Sequence, residues 1–594
     1  MSKRIWESVW PPLLIAAAIV CAYRTSLTFQ LIGDAEFLIK DNRQMDSIGN
    51  WWTVVSSDYF DATHGEHIGY WRPLTKLSWL LETVLGAHNS AVYQAVQIAW
   101  LVVGALGILR LSTLLGSPRS LGLVGALLFG LHPALIEPAC LVMARSDLVC
   151  GACVIWSLAG WWSWRKGLSR WPILHSAAAA GALLSKETGV ILPVVLLAWE
   201  LSGTEPMRRR LSAAYRYLLP AVSLLGVYLL LRAQVLGSVA SVAINLSPSR
   251  LLALCGAYAQ GLLPLPLEST VRNMSYAEAK SVWSILRGSI ALATAVGALE
   301  LSRRYFRVGI GLLAWAAGSL ALVVLPAQMH VPGGATQIVA ADRWLLHAVA
   351  AVAVALPLLA ERYLSLRGRL AAWVVTGGWT ILAVATGPVV HAPYTDGISL
   401  LDLDDQAFLA TPERFRTAEQ ACHFLERDLL RKRLAGDLPS ALQLLHDMER
   451  SQCIVSNARL SLLQPLLQAG NFADARQIAD AELQHGIVGR HLNALPFIGW
   501  ALLESGDPSR AAQVLQKSLD LQPNQCAVQF RLAQARATLG NAGEAARLFQ
   551  SAFHCAGQNA DPRWLIASAE LALRANDRSL LQQIRQDLQA TPLP

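Results

Sequence analysis

The stretch Ala91-Val-Tyr-Gln-Ala-Val-Gln-Ile-Ala-Trp-Leu-Val-Val-Gly-Ala-Leu-Gly-Ile-Leu-Arg-Leu111 decides the class of the fold. It stays apolar long enough to cross the ~30 Å hydrocarbon core of a bilayer as a helix. Similar runs recur on both sides of it, almost without pause, as far as Val390. They fall at Glu7–Tyr23, Ala91–Leu111, Leu121–Leu141, Leu148–Trp164, Trp171–Leu184, Gly189–Leu201, Tyr217–Leu236, Val282–Leu301, Val308–Pro326, Trp344–Leu359 and Leu370–Val390, and predict eleven spans. Composition agrees. Of 594 residues 54% are hydrophobic and 15% charged, against roughly 25% charged in soluble domains, and the mean hydropathy is +0.38. So apolar a chain is not disordered, and nine cysteines are too few for a disulfide scaffold.

The charges set a topology. The formal net charge of +8 is not a nucleic-acid groove, because the basic residues sit in short clusters between apolar runs. Lys3/Arg4, Arg165/Lys166/Arg170, Arg208/Arg209/Arg210, Arg303/Arg304/Arg307 and Arg362/Arg367/Arg369 all fall on one side of the expected spans, which the positive-inside rule makes the cytoplasm. The N-terminus is then inside, on an uncleaved first span, and the C-terminus outside. Leu251–Leu267 is apolar too, but as a full crossing it would put the Arg303 cluster outside. It is expected to be re-entrant or in-plane, ending at Pro264 and Pro266 beside a cavity.

From about Asp402 the chain turns Gln-, Asp-, Arg- and Ala-rich, with helical periodicity and no spanning run. Gly436/Ala441, Gly470/Ala475, Gly506/Ala511 and Gly540/Ala545 repeat at glycine spacings of 34, 36 and 34, close to the tetratricopeptide period. Gly499, Leu515 and Pro523 keep more of that pattern in the third repeat, Leu532, Phe549 and Ala552 in the fourth, and Ala575–Leu580 marks a degenerate cap. The fold class is therefore all-α. A polytopic membrane domain over 1–395 precedes an α-solenoid over 396–594, with repeats from about 415. Such a solenoid docks a protein or peptide. Counted from the repeat alanines, Cys422 with Cys453 and Cys526 with Cys555 fall at the meeting ends of two hairpins. They are either disulfides of an oxidising exterior or small residues filling helix contacts.

The expected outer face collects the ionisable residues that an apolar scaffold does not need: Asp34, Glu36, Arg72, His132, Glu137, Arg145, Asp147, Lys186, Glu187, Asp342 and Arg343. Charges in or beside spans are expensive and mark function. Carboxylates with several cations suit transfer from a phosphate-bearing donor, the carboxylate taking the acceptor proton and Arg or Lys holding the leaving anion. Each has a structural alternative. Asp34 is also a helix cap, His132 a hydrogen-bonded residue at the Pro133 break, Arg145 and Asp147 a pair, and Arg343 a snorkelling end. The tryptophans Trp51, Trp52, Trp71 and Trp79 read as interfacial anchors. No obligatory metal is expected. His64 and His67 near Asp61 and Glu66 suit a hydrated turn as well as a site, and a divalent ion at the acidic site is left open. The sequence has no P-loop, dinucleotide-type glycine motif or Gly-x-Ser-x-Gly elbow.

Leu31-Ile-Gly-Asp34-Ala-Glu36-Phe-Leu-Ile-Lys-Asp41-Asn42, Tyr70-Trp-Arg72-Pro-Leu74, His132-Pro-Ala-Leu-Ile-Glu137, Ala144-Arg145-Ser-Asp147, Ser185-Lys186-Glu187 and Ala341-Asp342-Arg343-Trp-Leu345 follow one another in that order. The set resembles the GT-C superfamily of multispan glycosyltransferases, in particular TMTC-type O-mannosyltransferases and their bacterial homologues, which add C-terminal tetratricopeptide repeats. The resemblance implies an inverting enzyme that takes sugar from a polyprenyl-phosphate donor on the outer side of the membrane, probing an acceptor protein through its repeats. It implies a bacterial inner-membrane protein with the active site and repeats in the periplasm. Asp34 stands on the first acid of the family's pair and would be the base; the second is Ala35 here, with Glu36 and Glu137 as supporting acids. The family's His-Pro…Glu motif falls on His132 and Glu137, its Arg-x-Asp on Arg145 and Asp147, and its Lys-Glu on Lys186 and Glu187, with Arg72, Arg145, Lys186 and Arg343 the candidate phosphate contacts. Two other functions stay open: transfer to a lipid or glycan acceptor, and a membrane-anchored repeat scaffold with a degenerate transferase core.

Overall fold

Asn89 starts the helix that the quoted stretch predicts: its side chain accepts from the Ala91 N–H at 3.0 Å, and the helix runs Ser90–Leu114. Its glycines let a second helix, Arg145–Arg165, come close. A Cβ on Gly107 would lie 2.6 Å from the Ile155 side chain, and the Trp156 indole crosses the contact to donate to the Val103 carbonyl at 2.8 Å. The computed structural model describes residues 3–59, 69–236, 306–396, 418–484 and 494–590, short interruptions aside, with Tyr258, Leu262 and Arg272–Ser275 in addition. The described chain is predominantly helical. Three short strands, Arg272–Ser275, Met329–His330 and Thr336–Ala340, pair antiparallel with the last in the middle, which the all-α expectation did not include.

Six helices among the described residues are long and apolar enough to cross a membrane, seven if one bent pair counts as a single span, in place of the expected eleven. The pair is Arg119–Gly130 with Pro133–Cys140, bent by 56°. Pro133 has no N–H to continue the ladder, and His132 takes an extended backbone before it. The runs expected at Trp171–Leu184 and Gly189–Leu201 become helices Ile173–Ser185 and Leu192–Leu201, of 13 and 10 residues, divided by a 3-10 turn at Glu187–Ile191. At 1.5 Å per residue they are about 20 and 15 Å long, short of the hydrocarbon thickness. Val308–Leu322 is likewise a shorter apolar helix. The span expected at Val282–Leu301, and Leu251–Leu267 apart from Tyr258 and Leu262, lie outside the described residues.

Two compact units emerge, one comprising Met1–Tyr59 and His67–Arg414, the other containing Phe415–Pro594. Among the described residues of the second unit five antiparallel hairpins follow one another: Ala418–Leu434 with Leu438–Arg450, Ser456–Gln468 with Phe472–Gln484, Leu495–Glu504 with Pro508–Leu521, Cys526–Thr538 with Ala542–Ala556, and Arg563–Arg574 with Arg578–Ala590. The repeat glycines turn between paired helices with φ of +75 to +83°, which a side chain disfavours, and Asn576 takes that place at +53° in the final hairpin. Ala441, Ala475, Ala511 and Ala545 are wholly buried where the helices cross. The bridges Cys422–Cys453 and Cys526–Cys555 are formed, with Cα separations of 5.5 and 5.3 Å.

Candidate functional site

Beyond the first span the chain passes through a 3-10 turn, Arg24–Thr28, to a helical turn at Asp34 that continues as the π-helical Glu36–Lys40. Asp34 is half-buried and Ala35 wholly buried. Asp34 acts electrostatically on both Tyr59 and Arg343, so the first loop and the start of the helix Leu346–Tyr363 share one neighbourhood. The Glu36 side chain lies outside the described residues, as do Asp61, His64, Glu66 and His67.

Around Asp34 the motif residues pair off. Lys186 binds Asp147, both nearly buried. Asp147 also acts on Arg72, Arg343 and His347. Arg72 donates to Glu187 through Nη2 at 3.0 Å and to the Ser146 hydroxyl through Nη1 at 3.3 Å. Glu137 receives both the guanidinium and the backbone N–H of Arg343, so it is a clamp on that arginine and not the independent supporting acid expected of it. Lys186 and Glu187, adjacent in sequence, diverge to separate partners. The break at Pro133 is what swings Glu137 toward Arg343, because the short helix Ile136–Cys140 starts only after the bend.

Two expected substrate contacts are structural instead. Arg145 is fully buried and spends its donors on Glu82, the Ser78 hydroxyl at 2.8 Å, Gln97 and the Tyr93 carbonyl at 2.7 Å. It does not pair with Asp147 either, because as first residue of its helix it points to the opposite side. His132 caps the Pro133–Leu135 turn: Nδ1 accepts from the Ala134 N–H at 3.2 Å, which leaves Nε2 as the donor to the Leu262 carbonyl, also 3.2 Å away. Both nitrogens of a neutral imidazole are thereby used.

Outside the spans, burial dominates the proton affinities. It pushes the Lys186 ammonium below the ordinary lysine value, with Arg72 and Arg343 adding to the effect and Asp147 opposing it. Burial also works against the Arg72 charge, but Glu187, Tyr59 and Asp147 together hold it above the usual arginine value. Tyr59 is raised, chiefly by burial, and stays a neutral phenol. The arrangement offers a half-buried carboxylate within electrostatic reach of Arg343, which belongs with Arg72 and Lys186 to one largely desolvated group of cations; proton removal beside a developing phosphate charge calls for such a combination. Among the described residues no three His, Cys, Asp or Glu side chains come together as metal ligands.

No family model matches the chain. Nor does any curated protein. Among solved structures, the crystal structure of yeast Tom70 aligns with 79% of this chain and 96% of its own, at 12% identity and a TM-score of 0.24, too low to carry an assignment.

Several residues that build the site gave only a weak signal in the sequence. Gln97 lies inside the apolar stretch quoted first, where a polar side chain needs a partner, and that alone pointed to a buried network. Ser78 and Glu82 are four apart on the helix Pro73–Gly86 and so share a face. Asp58 is buried and accepts from the N–H groups of Gly69 and Tyr70 at 2.7 and 3.1 Å, closing the base of the first loop, and Arg232 donates to the Gly69 carbonyl from the other side. Nothing in their local sequence announced those two.

Proposed function

We propose that this chain is a membrane glycosyltransferase of the GT-C type that moves a sugar from a polyprenyl-phosphate donor to an acceptor hydroxyl, held on a protein or peptide by the repeats. The observation that carries the reading is the convergence of Arg72, Asp147, Lys186 and Arg343, drawn from four separate motifs of the chain, with Asp34 of a fifth motif acting on Arg343. In the proposed step Asp34 takes the proton of the acceptor hydroxyl as its oxygen bonds to the anomeric carbon. The bond from that carbon to the phosphate oxygen breaks on the opposite face, and the phosphate leaves with the electron pair, inverting the sugar. Arg72, Lys186 and Arg343 meet the charge that grows on it.

Two spanning helices support an outward-facing site. Arg145–Arg165 has Asp147 near one end and Arg165 at the other, and Leu346–Tyr363 follows Arg343 and carries Arg362 in its last turn. Each has a site residue at or beside the end opposite a basic cluster, which under the positive-inside rule supports the reading of an outer-face site, periplasmic in a bacterial inner membrane. The two disulfides of the repeats fit an oxidising compartment.

A scaffold with a degenerate core is the second reading. It draws on Ala35, buried where the resemblance expects an acid, and on Glu137, Asp147 and Glu187, each held in an ion pair. Purified full-length protein given a polyprenyl-phosphate sugar separates the two. Turnover that falls 10²- to 10⁴-fold in a folded Asp34→Asn variant, roughly the loss expected for a general base, supports the transferase. Full turnover in that variant removes Asp34 from the mechanism, and no turnover in the unaltered protein leaves the scaffold.

A further inference from the structure

Two guanidinium groups meet one carboxylate beside the site. Arg72, just before the helix Pro73–Gly86, donates to Glu187 Oε2 from Nε at 3.3 Å and from Nη2 at 3.0 Å. Arg232, near the end of the helix Met207–Leu236, brings Nη1 to 3.7 Å from Oε1 of the same carboxylate. Both cations are fixed by other partners. Arg72 lies over the rings of Tyr59 and Tyr70, 4.7 and 4.8 Å from their centroids. Arg232 donates to the Gly69 carbonyl at 2.5 Å and to the Tyr228 hydroxyl at 3.4 Å. The carboxylate is held less firmly. Its side chain is 28% exposed against 12% and 9% for the two arginines, and its contacts are longer than the ~2.7–2.9 Å of a tight charge-assisted hydrogen bond. It also stands on the first residue of a short 3-10 turn, after the extended backbone of Lys186.

We infer that Glu187 is a place-holder: the phosphate of a polyprenyl carrier displaces it from Arg72 and Arg232, and its return expels the carrier after transfer. The inference rests on the transferase reading above and adds Arg232 to the phosphate site. Two fixed guanidiniums present a fork of donors that suits a tetrahedral oxyanion better than a single carboxylate. A sugar phosphodiester carries one negative charge, whereas the monoester left behind carries about 1.5–2 at neutral pH. A two-arginine site therefore holds the spent carrier more tightly than the donor, and an enzyme so built would stall on its product. A tethered carboxylate competes at an effective concentration in the mM range without diffusing away. Its single charge is enough to neutralise part of the site when the carrier leaves, so the two cations are not left facing each other uncompensated.

Titration of the full-length protein in phosphatidylcholine nanodiscs with polyprenyl phosphate, and separately with inorganic phosphate, tests this. Glu187→Gln should bind polyprenyl phosphate about tenfold more tightly, and Arg232→Gln about tenfold more weakly, the size expected for losing a competing or a direct charged partner. The inhibition constant of polyprenyl phosphate as product should fall in parallel in Glu187→Gln. Glu187→Asp, whose carboxylate is drawn back by one methylene, should lie between and serves if the glutamine variant does not fold. Unchanged affinity for both anions in the Glu187 variants overturns the place-holder, whatever the enzyme's activity. Tighter inorganic phosphate binding in Glu187→Gln, with no polyprenyl phosphate bound by any variant, supports the exchangeable anion site and overturns the carrier reading instead.

Discussion

Reduction of the repeat-domain disulfides should loosen the two hairpins they close and leave the membrane unit alone. Cys422–Cys453 and Cys526–Cys555 close loops with sequence separations of 31 and 29 residues. The chain-entropy relation for loops of that size gives about 3.7 and about 3.6 kcal/mol at 25 °C in favour of the folded hairpins. The first bridge matters more for local opening, because Ala418–Arg450 is the first hairpin of the array and leans on a repeat neighbour on one side only. A loss of that size raises its open fraction roughly 400- to 500-fold. Hydrogen exchange followed by mass spectrometry on the full-length protein, with and without a phosphine reductant, reads this directly. Amides of Ala418–Arg450 should lose protection first and those of Cys526–Ala556 next, while Ser90–Leu114 serves as the internal reference. Unchanged protection in both hairpins after complete reduction would refute the entropic argument. Four free thiols in protein taken from native membranes would remove the bridges, and with them the support they lend to an oxidising exterior.

Arg145→Ala should leave Glu82 as an uncompensated buried carboxylate and destabilise the fold by about 3–5 kcal/mol. Donor affinity in whatever folds should be unchanged; a raised donor KM with an intact melting transition would return Arg145 to the substrate site. Acid should weaken the repeats. Asp437 is held below the usual carboxylate range by the Ser440 hydroxyl and N–H, and Asp577 by the Leu580 N–H and the Ser579 hydroxyl. A depressed folded-state value contributes stability that is present above the ordinary value of 3.8 and is lost as pH falls through the lowered one. Exchange in Leu438–Arg450 and Arg578–Ala590 should therefore quicken below about pH 4, and less so in Asp437→Asn and Asp577→Asn; identical acid responses in the variants would discard the capping account.

The repeat unit was almost fully legible because its rules are local. A glycine every 34 or 36 residues followed five on by alanine fixes where each hairpin turns and where its helices touch, and the cysteine positions followed by counting. The membrane unit was legible only in outline. Apolar run length says where a helix can exist, yet it does not see that Pro133 bends one span by 56°, or that the chain stops being α-helical at Lys186 to open a 3-10 turn. Motif order pointed to residues that the fold does bring together, such as Arg72 with Glu187 and Arg343 with Glu137, but not to which of them would pair or serve only the scaffold. Arg145 and Asp147, two residues apart, look like a pair on paper. One points to Glu82 and the other to Lys186, because positions two apart on a helix are turned about 200° from each other. Arg232, with no motif around it, becomes visible only when distant segments are brought together.

The clamp between Glu137 and Arg343 joins positions 206 residues apart, and that span of chain is also a span of time. At ~5–20 residues per second, synthesis separates the two by about 10–40 s. Through that interval a carboxylate that is wholly enclosed in the finished protein has not yet met its guanidinium. A bare charge is costly in lipid, so the segment around Pro133 has reason to stay at the wet boundary, or against the insertion machinery, until the helix beginning near Arg343 is delivered. The bend that places the site would then be set late, when the last part of the bundle locks the first.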